Sequence, residues 1–487
     1  MTTIPMPFGP WHPDASAPNT QACVTASGCR PAVNGYLPFL SMASATSALD
    51  GQCLGAAVVF YKDGSVHHFA GDASKLYKLG TAGVWADVTR ASGGLYSSGS
   101  GARWQFGFSG GLAIACTIGE TPQKYLIGSS TKFADLGGSP PKASFIATVR
   151  DFVVLGGLNG DLMTVAWSGL GDPEWWTVGT NSCDTQTFQS GGPIRGLLGG
   201  EVGYVFQAGS ITRMSFVPGS DLIFQFDTVE DGRGLAAPFS LVRIGSLAFF
   251  LSSDGFYRFD VGSGRAEPIG TGKWTKWVMA DMNPGLMANV VGSVDPTGRF
   301  VIWAYPTLGA SGTTLNRCLI YDWTLDEATT VDITVTALAQ MLTQGVTLDT
   351  MDSFGTLDEL PFSLDAPIWS GGASLLGAFS TDKTMSYFAG QNMAASWVTN
   401  DIRLKGRIMI RGVRPHIEAP DAVAALAMRE AEQEAVTFGV DESNDDSGNI
   451  STWGAGNFGR IRIKAPAGSS WSKMTGAELN VTEWGSR

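Results

Sequence analysis

Charge, histidine and helical periodicity are all scarce in this sequence, and each shortage narrows what the chain can be. Charged side chains make up 16% of its 487 residues, against about a quarter in a typical globular domain. The balance is acidic, with a formal net charge of −12. That argues against a general basic face gripping nucleic acid. It leaves open an acidic, weakly interacting wall past which DNA slides. Only four histidines occur, His12, His67, His68 and His416. His67 and His68 adjoin on an expected strand, so they point to opposite faces and cannot readily share a metal. The six cysteines (Cys23, Cys29, Cys53, Cys116, Cys183, Cys318) are dispersed, with no C-x-x-C pair. They read as buried thiols, although Cys23 and Cys29 could pair. No apolar run approaches the 18 or so residues of a membrane span. The first residues, MTTIPMPFGPWHPD, lack the basic and apolar regions of a signal peptide, so synthesis in a cytoplasm is expected.

Chemical motifs are missing too. There is no HExxH, EF-hand loop, phosphate-binding GxxxxGK[ST] or strand–helix GxGxxG, and no nucleophile elbow in a strand-to-helix setting. No catalytic residue, cofactor or metal ligand is expected. Glycoside hydrolysis needs two carboxylates facing across a cleft. Asp172, Glu174 and Asp184 form the nearest acidic cluster among aromatics. They define a minor enzymatic alternative.

What the chain has in quantity is glycine, 63 residues, with 26 Phe and 15 Trp. Short strands and tight turns recur along it. LGAAVVFYKDGSVHHFAG (54–71) reads strand, turn at Lys62-Asp63-Gly64, strand. Similar units follow around Leu76–Trp85, 104–115 and 122–138, and at 143–157 with a turn at Arg150-Asp151. Gly203–Gln207 and Ile211–Phe216 flank Ala208-Gly209-Ser210, and Ser253-Asp254-Gly255 separates an apolar strand from Phe256-Tyr257-Arg258-Phe259. Further strands are expected at 299–305, 316–332, 367–372 and 383–390. Equivalent positions recur at intervals near the 40–50 residues of a propeller blade. The expected fold is all-β, a β-propeller of six to eight blades with an additional C-terminal β domain.

Three regions follow. Residues 1–50, broken by seven prolines, read as an extended arm packed on the body or on a neighbour. Residues 51–400 form the propeller. Residues 401–487 form a sheet or sandwich-like platform. There Arg403, Arg407, Arg411 and Arg414 stripe one sheet face or bond nearby acids, in preference to binding phosphate. The segment 421–436 suits either a helix or a strand with a polar loop.

The segment 160–176, GDLMTVAWSGLGDPEWW, organises the whole. Its WSGLGDPEWW portion resembles the W-S-x-x-x-D-P-x-x-W segment of tail hub and nozzle proteins of short-tailed bacteriophages, the packaged-DNA stabilisation and tail tubular proteins. GSITRM (209–214), DGRGLAAPFSLVRIGSLAFFLSSDGFYRFD (231–260), IYDW (320–323) and GRIMIRGVRPHIE (406–418) are similar in the same order. The resemblance covers roughly 150–420. It implies a non-enzymatic virion protein assembled in the host cytoplasm. Such a protein is a homo-oligomeric ring, usually a hexamer, around the channel that DNA crosses during ejection. Its partners are a head-side adaptor or portal ring and distal tail fibre or tip proteins. Trp167, Asp172, Pro173, Trp175, Trp176, Arg213, Asp254, Gly255, Tyr257, Arg403, Arg411 and Arg414 are then structural or interface candidates. The alternative is a propeller module that binds a ligand or glycan.

Overall fold

The computed structural model describes residues 2–15, 21–80, 83–99, 101–220, 222–295, 297–310, 314–342, 374–445 and 447–483. The expected strand at 367–372 lies outside them.

Five consecutive antiparallel meanders of four strands follow one another along the chain. They occupy 55–87, 105–135, 143–187, 194–231 and 242–268. Each is closed by glycine turns of the kind the sequence displays. Gly203–Gln207 and Ser210–Phe216 are a hairpin, as are Leu247–Ser252 and Gly255–Asp260. The turn after Ala143–Val149 forces Arg150 to a φ of 50°. A sixth four-stranded sheet joins Ala337–Leu342, Ser374–Phe379 and Thr384–Asn392 to Leu40–Ala48, from the other end of the chain. These six blades form a propeller, and the first strands of the first four, Gly55–Phe60, Gln105–Ser109, Ala143–Val149 and Ile194–Leu198, lie side by side in succession. Gly55–Phe60 packs against both Gln105–Ser109 and Ala337–Leu342. The ring is therefore closed by an N-terminal strand placed in the last blade.

Between the fifth and last blades, the meander of Val291–Asp295, Phe300–Tyr305, Arg317–Asp322 and Glu327–Val331 packs its first strand into the ring. Its outer strand continues into a second body, a twelve-stranded mixed sheet. From Glu327–Val331 this sheet runs through Cys23–Ser27, Ala395–Thr399, Gly454–Ala465, Ile402–Pro415 and Gly476–Glu483 to Thr2–Pro7. The fold is thus all-β, a propeller with an additional β body that uses the C-terminal strands.

Two expectations change, and one left open is decided. Residues 1–50 are not an extended arm. They supply Thr2–Pro7, Cys23–Ser27, Cys29–Ala32, Gly35–Pro38 and Leu40–Ala48. Pro5 and Pro7 are accommodated because Thr2–Pro7 is the sheet's edge, where a missing N–H costs no ladder bond. The boundary at 400 falls inside the second sheet, since Ala395–Thr399 already belongs to it. The segment 421–436 resolves as a strand, Val423–Arg429, followed by a polar loop. It pairs along its length with Gly454–Ala465, and Ala424, Ala425 and Ala427 are all fully buried, which outweighs their helical propensity. All six cysteines are buried free thiols.

Candidate functional site

The WSGLGDPEWW stretch is an inter-blade staple. Trp167 ends the third strand of the third blade and is buried toward the fourth, edge-on to Phe224 at 5.2 Å. Its indole N–H donates to the Ser182 carbonyl at 2.9 Å. Ser168 is fully buried, and its Oγ accepts the Val153 N–H at 3.0 Å. The chain then reverses. Asp172 Oδ1 accepts the Glu174 N–H at 3.0 Å, and the Trp176 indole donates to the Pro173 carbonyl at 2.9 Å. Trp176 packs the opposite way from Trp167, in the core shared by the second and third blades. Glu174 reaches across to Lys124 of the second blade and accepts the Gly137 N–H at 2.9 Å. One loop thus ties three successive blades.

In this geometry each of these acids is engaged by its own loop or by the neighbouring blade. Lys124 holds the Glu174 carboxyl below the usual range, whereas a general acid needs the opposite shift. Asp172 caps a turn, and Asp184 Oδ1 accepts the adjacent Thr185 N–H. On the same loop Leu170, Trp175 and Val178 are exposed, Trp175 by 42%.

The other candidates lie apart from this loop, in three separate places. Arg213 pairs with its cross-strand neighbour Asp227 at 3.1 Å. Asp254 accepts the Tyr257 hydroxyl at 2.7 Å inside its own hairpin, where Gly255 holds a φ of 149°. Arg233 lies over the Tyr257 ring. Burial, then Asp254, pushes the Tyr257 hydroxyl up to about 12. Arg403, Arg411 and Arg414 are exposed along Ile402–Pro415, while Arg407 pairs with Glu430 at 2.9 Å. Next to them Asp401 binds Arg429 and Arg460, and Asp441 binds Arg462 and Lys464.

The hollows differ in what they offer. One, of about 880 Å³, runs between residues 5–11 and 31–36. Its ionisable groups are engaged: Glu327 by His12 at 2.8 Å and Lys273 at 3.4 Å, His416 by Glu478 at 3.5 Å, and Lys473 by the Val33 carbonyl at 2.8 Å. A smaller one lies where the blades converge, an axial channel of about 230 Å³ between the opening residues of the first strands. Arg103 is the one charged residue in its lining. It stands just ahead of Gln105–Ser109, and two of its guanidinium N–H groups donate to the Thr336 carbonyl at 3.1 and 3.2 Å. Its plane lies over the Phe239 ring at 5.5 Å. Among the described residues no carboxylate pairs with it, and burial lowers its pKa from the ordinary arginine value. Sequence reasoning missed Arg103, because nothing local distinguishes it from any other arginine before a strand. Among the described residues no group of three His, Cys, Asp or Glu side chains is placed to hold a metal, and no helix is long and apolar enough to cross a membrane.

No protein-family model matches the chain, and no curated protein does. Solved structures are similar at low identity. The computationally designed Ika8 protein is 12% identical over 71% of this chain and 99% of its own, with a TM-score of 0.35. The Neurospora crassa Pan2 WD40 domain is 8% identical over 70% and 90%, with a TM-score of 0.39. The extracellular domain of BT4673 from B. thetaiotaomicron is 9% identical over 84% of this chain, with a TM-score of 0.42, and this chain spans 47% of that one.

Proposed function

We propose that the chain is a non-catalytic propeller protein that works by docking, as a ring-forming component of a phage tail hub or nozzle. The observation that carries the reading is the 169–183 loop. The residues that resemble the tail proteins staple three blades, and the loop they fix presents Leu170, Trp175 and Val178 to solvent. Apolar and aromatic groups held rigidly on a surface make good anchors for a neighbouring subunit. The low charge of the whole chain supports the same reading. In this reading the head-side adaptor and the distal fibre or tip proteins contact the ring, and DNA passes through it without sequence-specific binding. Negative-stain electron microscopy of the purified chain, with mass photometry, tests it. Closed rings are expected, and Trp175→Asp should leave monomers with an unchanged melting temperature. Wild-type monomers at every concentration, and no rings on a head-side adaptor, would remove the reading.

A second reading, a propeller module that holds a small ligand, is favoured by the axial channel with its single guanidinium.

A further inference from the structure

We propose that the axial channel is a binding site for one compact oxyanion, a small carboxylate or phosphate, held by Arg103. This rests on the second reading and names its ligand class; it is independent of tail assembly.

Three features converge on it. The first is charge without a counter-charge. Arg103 is partly buried; a guanidinium stays protonated there, and drawing a cation out of water is costly unless an anion or enough hydrogen bonds offset it. Arg103 bonds one carbonyl with two of its five N–H groups, and no acid lines the channel. The second is geometry. The shared Thr336 carbonyl and the Phe239 ring fix the guanidinium plane, so its remaining donors are held in the planar fork that matches a carboxylate or phosphate edge. The third is the wall. The first strand of each blade is an edge strand on its axial side, so alternate backbone N–H and C=O groups there have no ladder partner. Gly55, Gly196 and Gly292 let these strands pack closely against Trp104, Leu235 and Ser240, which keeps that wall narrow. A volume near 230 Å³ suits a few-atom anion and excludes a nucleotide or an oligosaccharide.

The experiment titrates phosphate and succinate into the full chain by calorimetry at constant ionic strength. The same titration is run on Arg103→Met and Arg103→Lys, with glucose and N-acetylglucosamine as neutral probes. Bromide-soaked crystals locate the site by anomalous scattering. Wild type should bind one equivalent of at least one oxyanion. Arg103→Met should weaken it at least tenfold. Arg103→Lys keeps the charge and guards against misfolding, and should weaken it less. A single bromide peak should stand beside Arg103. Binding unchanged in Arg103→Met, or a bromide peak elsewhere only, would overturn the assignment. If a neutral sugar binds in the channel and no anion does, the oxyanion inference fails while the ligand-binding reading stands. If nothing binds there, both fail.

Discussion

Adjacent tryptophans in this chain have opposite fates, and the difference is measurable. Trp176 is 8% exposed in the core between the second and third blades, while Trp175 is 42% exposed. Removing a buried tryptophan leaves a cavity its neighbours only partly fill. Trp176→Ala should therefore cost about 3–5 kcal/mol, and Trp175→Ala no more than about 0.5 kcal/mol. Urea unfolding with equal m-values checks both. His68 makes a separate prediction. It is fully buried against the last blade, where its ring meets the backbone of Leu342, and desolvation depresses its pKa from 6.5 to about 4. Between pH 4 and 6.5 the unfolded chain therefore binds the extra proton. Stability from this group is complete above pH 6.5 and falls as the pH drops toward 4, by on the order of 3 kcal/mol. His68→Gln should flatten that part of the profile, as read from urea midpoints at pH 7 and pH 5. Equal slopes in both proteins would contradict it.

Among the elements, local chemistry was readable and distant pairing was not. Asp63-Gly64, Gly209 and Asp254-Gly255 mark turns because their backbone preferences are intrinsic, so the hairpins around them fall where the residues place them. The N-terminal strands carry no such mark. Cys23–Ser27 is a strand because Ala395–Thr399, from the far end of the chain, offers it a ladder. Val423–Arg429 is a strand because Gly454–Ala465 does the same. Of the candidate residues, the staple tryptophans were legible as architecture. Arg103 became visible only when convergence of the blades placed it on the axis. The closing strand Leu40–Ala48 yields a direct test. Ala43 pairs with Tyr387, and Ser44 with Ser386. A proline at Ala43 cannot serve in a two-sided ladder, but here it enters the outermost strand of the blade. Its effect depends on whether the Ala43 N–H points inward. Ser44→Pro is the complementary variant, because successive N–H groups point to opposite sides of a strand. One of the two should loosen the ring and speed hydrogen exchange in Thr384–Asn392, and the other should be tolerated. Equal tolerance of both would show that the closing strand contributes little.

At the scale of the molecule, propeller and sheet are two bodies sharing one core. A continuous cluster joins Phe8 and Trp11 near the start of the chain to Phe249 and Phe256 of the fifth blade. It continues through Trp303 and Tyr321 of the linking meander to Trp397, Ile461 and Val481 of the second sheet. The covalent path reinforces this, since the chain begins in the second sheet, closes the propeller, circles it and returns. A body that borrows strands from both termini cannot unfold without baring the edge strands and apolar faces of its neighbour. Calorimetry of the full chain should therefore show one transition, with calorimetric and van't Hoff enthalpies in agreement. Separately stable bodies would give two. Truncation after Asn392 distinguishes the cases further. It keeps every blade strand but removes Ala395–Thr399 and all that follows, which takes Trp397 from the Tyr36 ring and bares the Cys23–Ser27 edge. The truncated chain should lose its cooperative melt and bind a hydrophobic dye. If it melts sharply with near-native strand content, the propeller stands alone and the shared core is only a contact between independent parts.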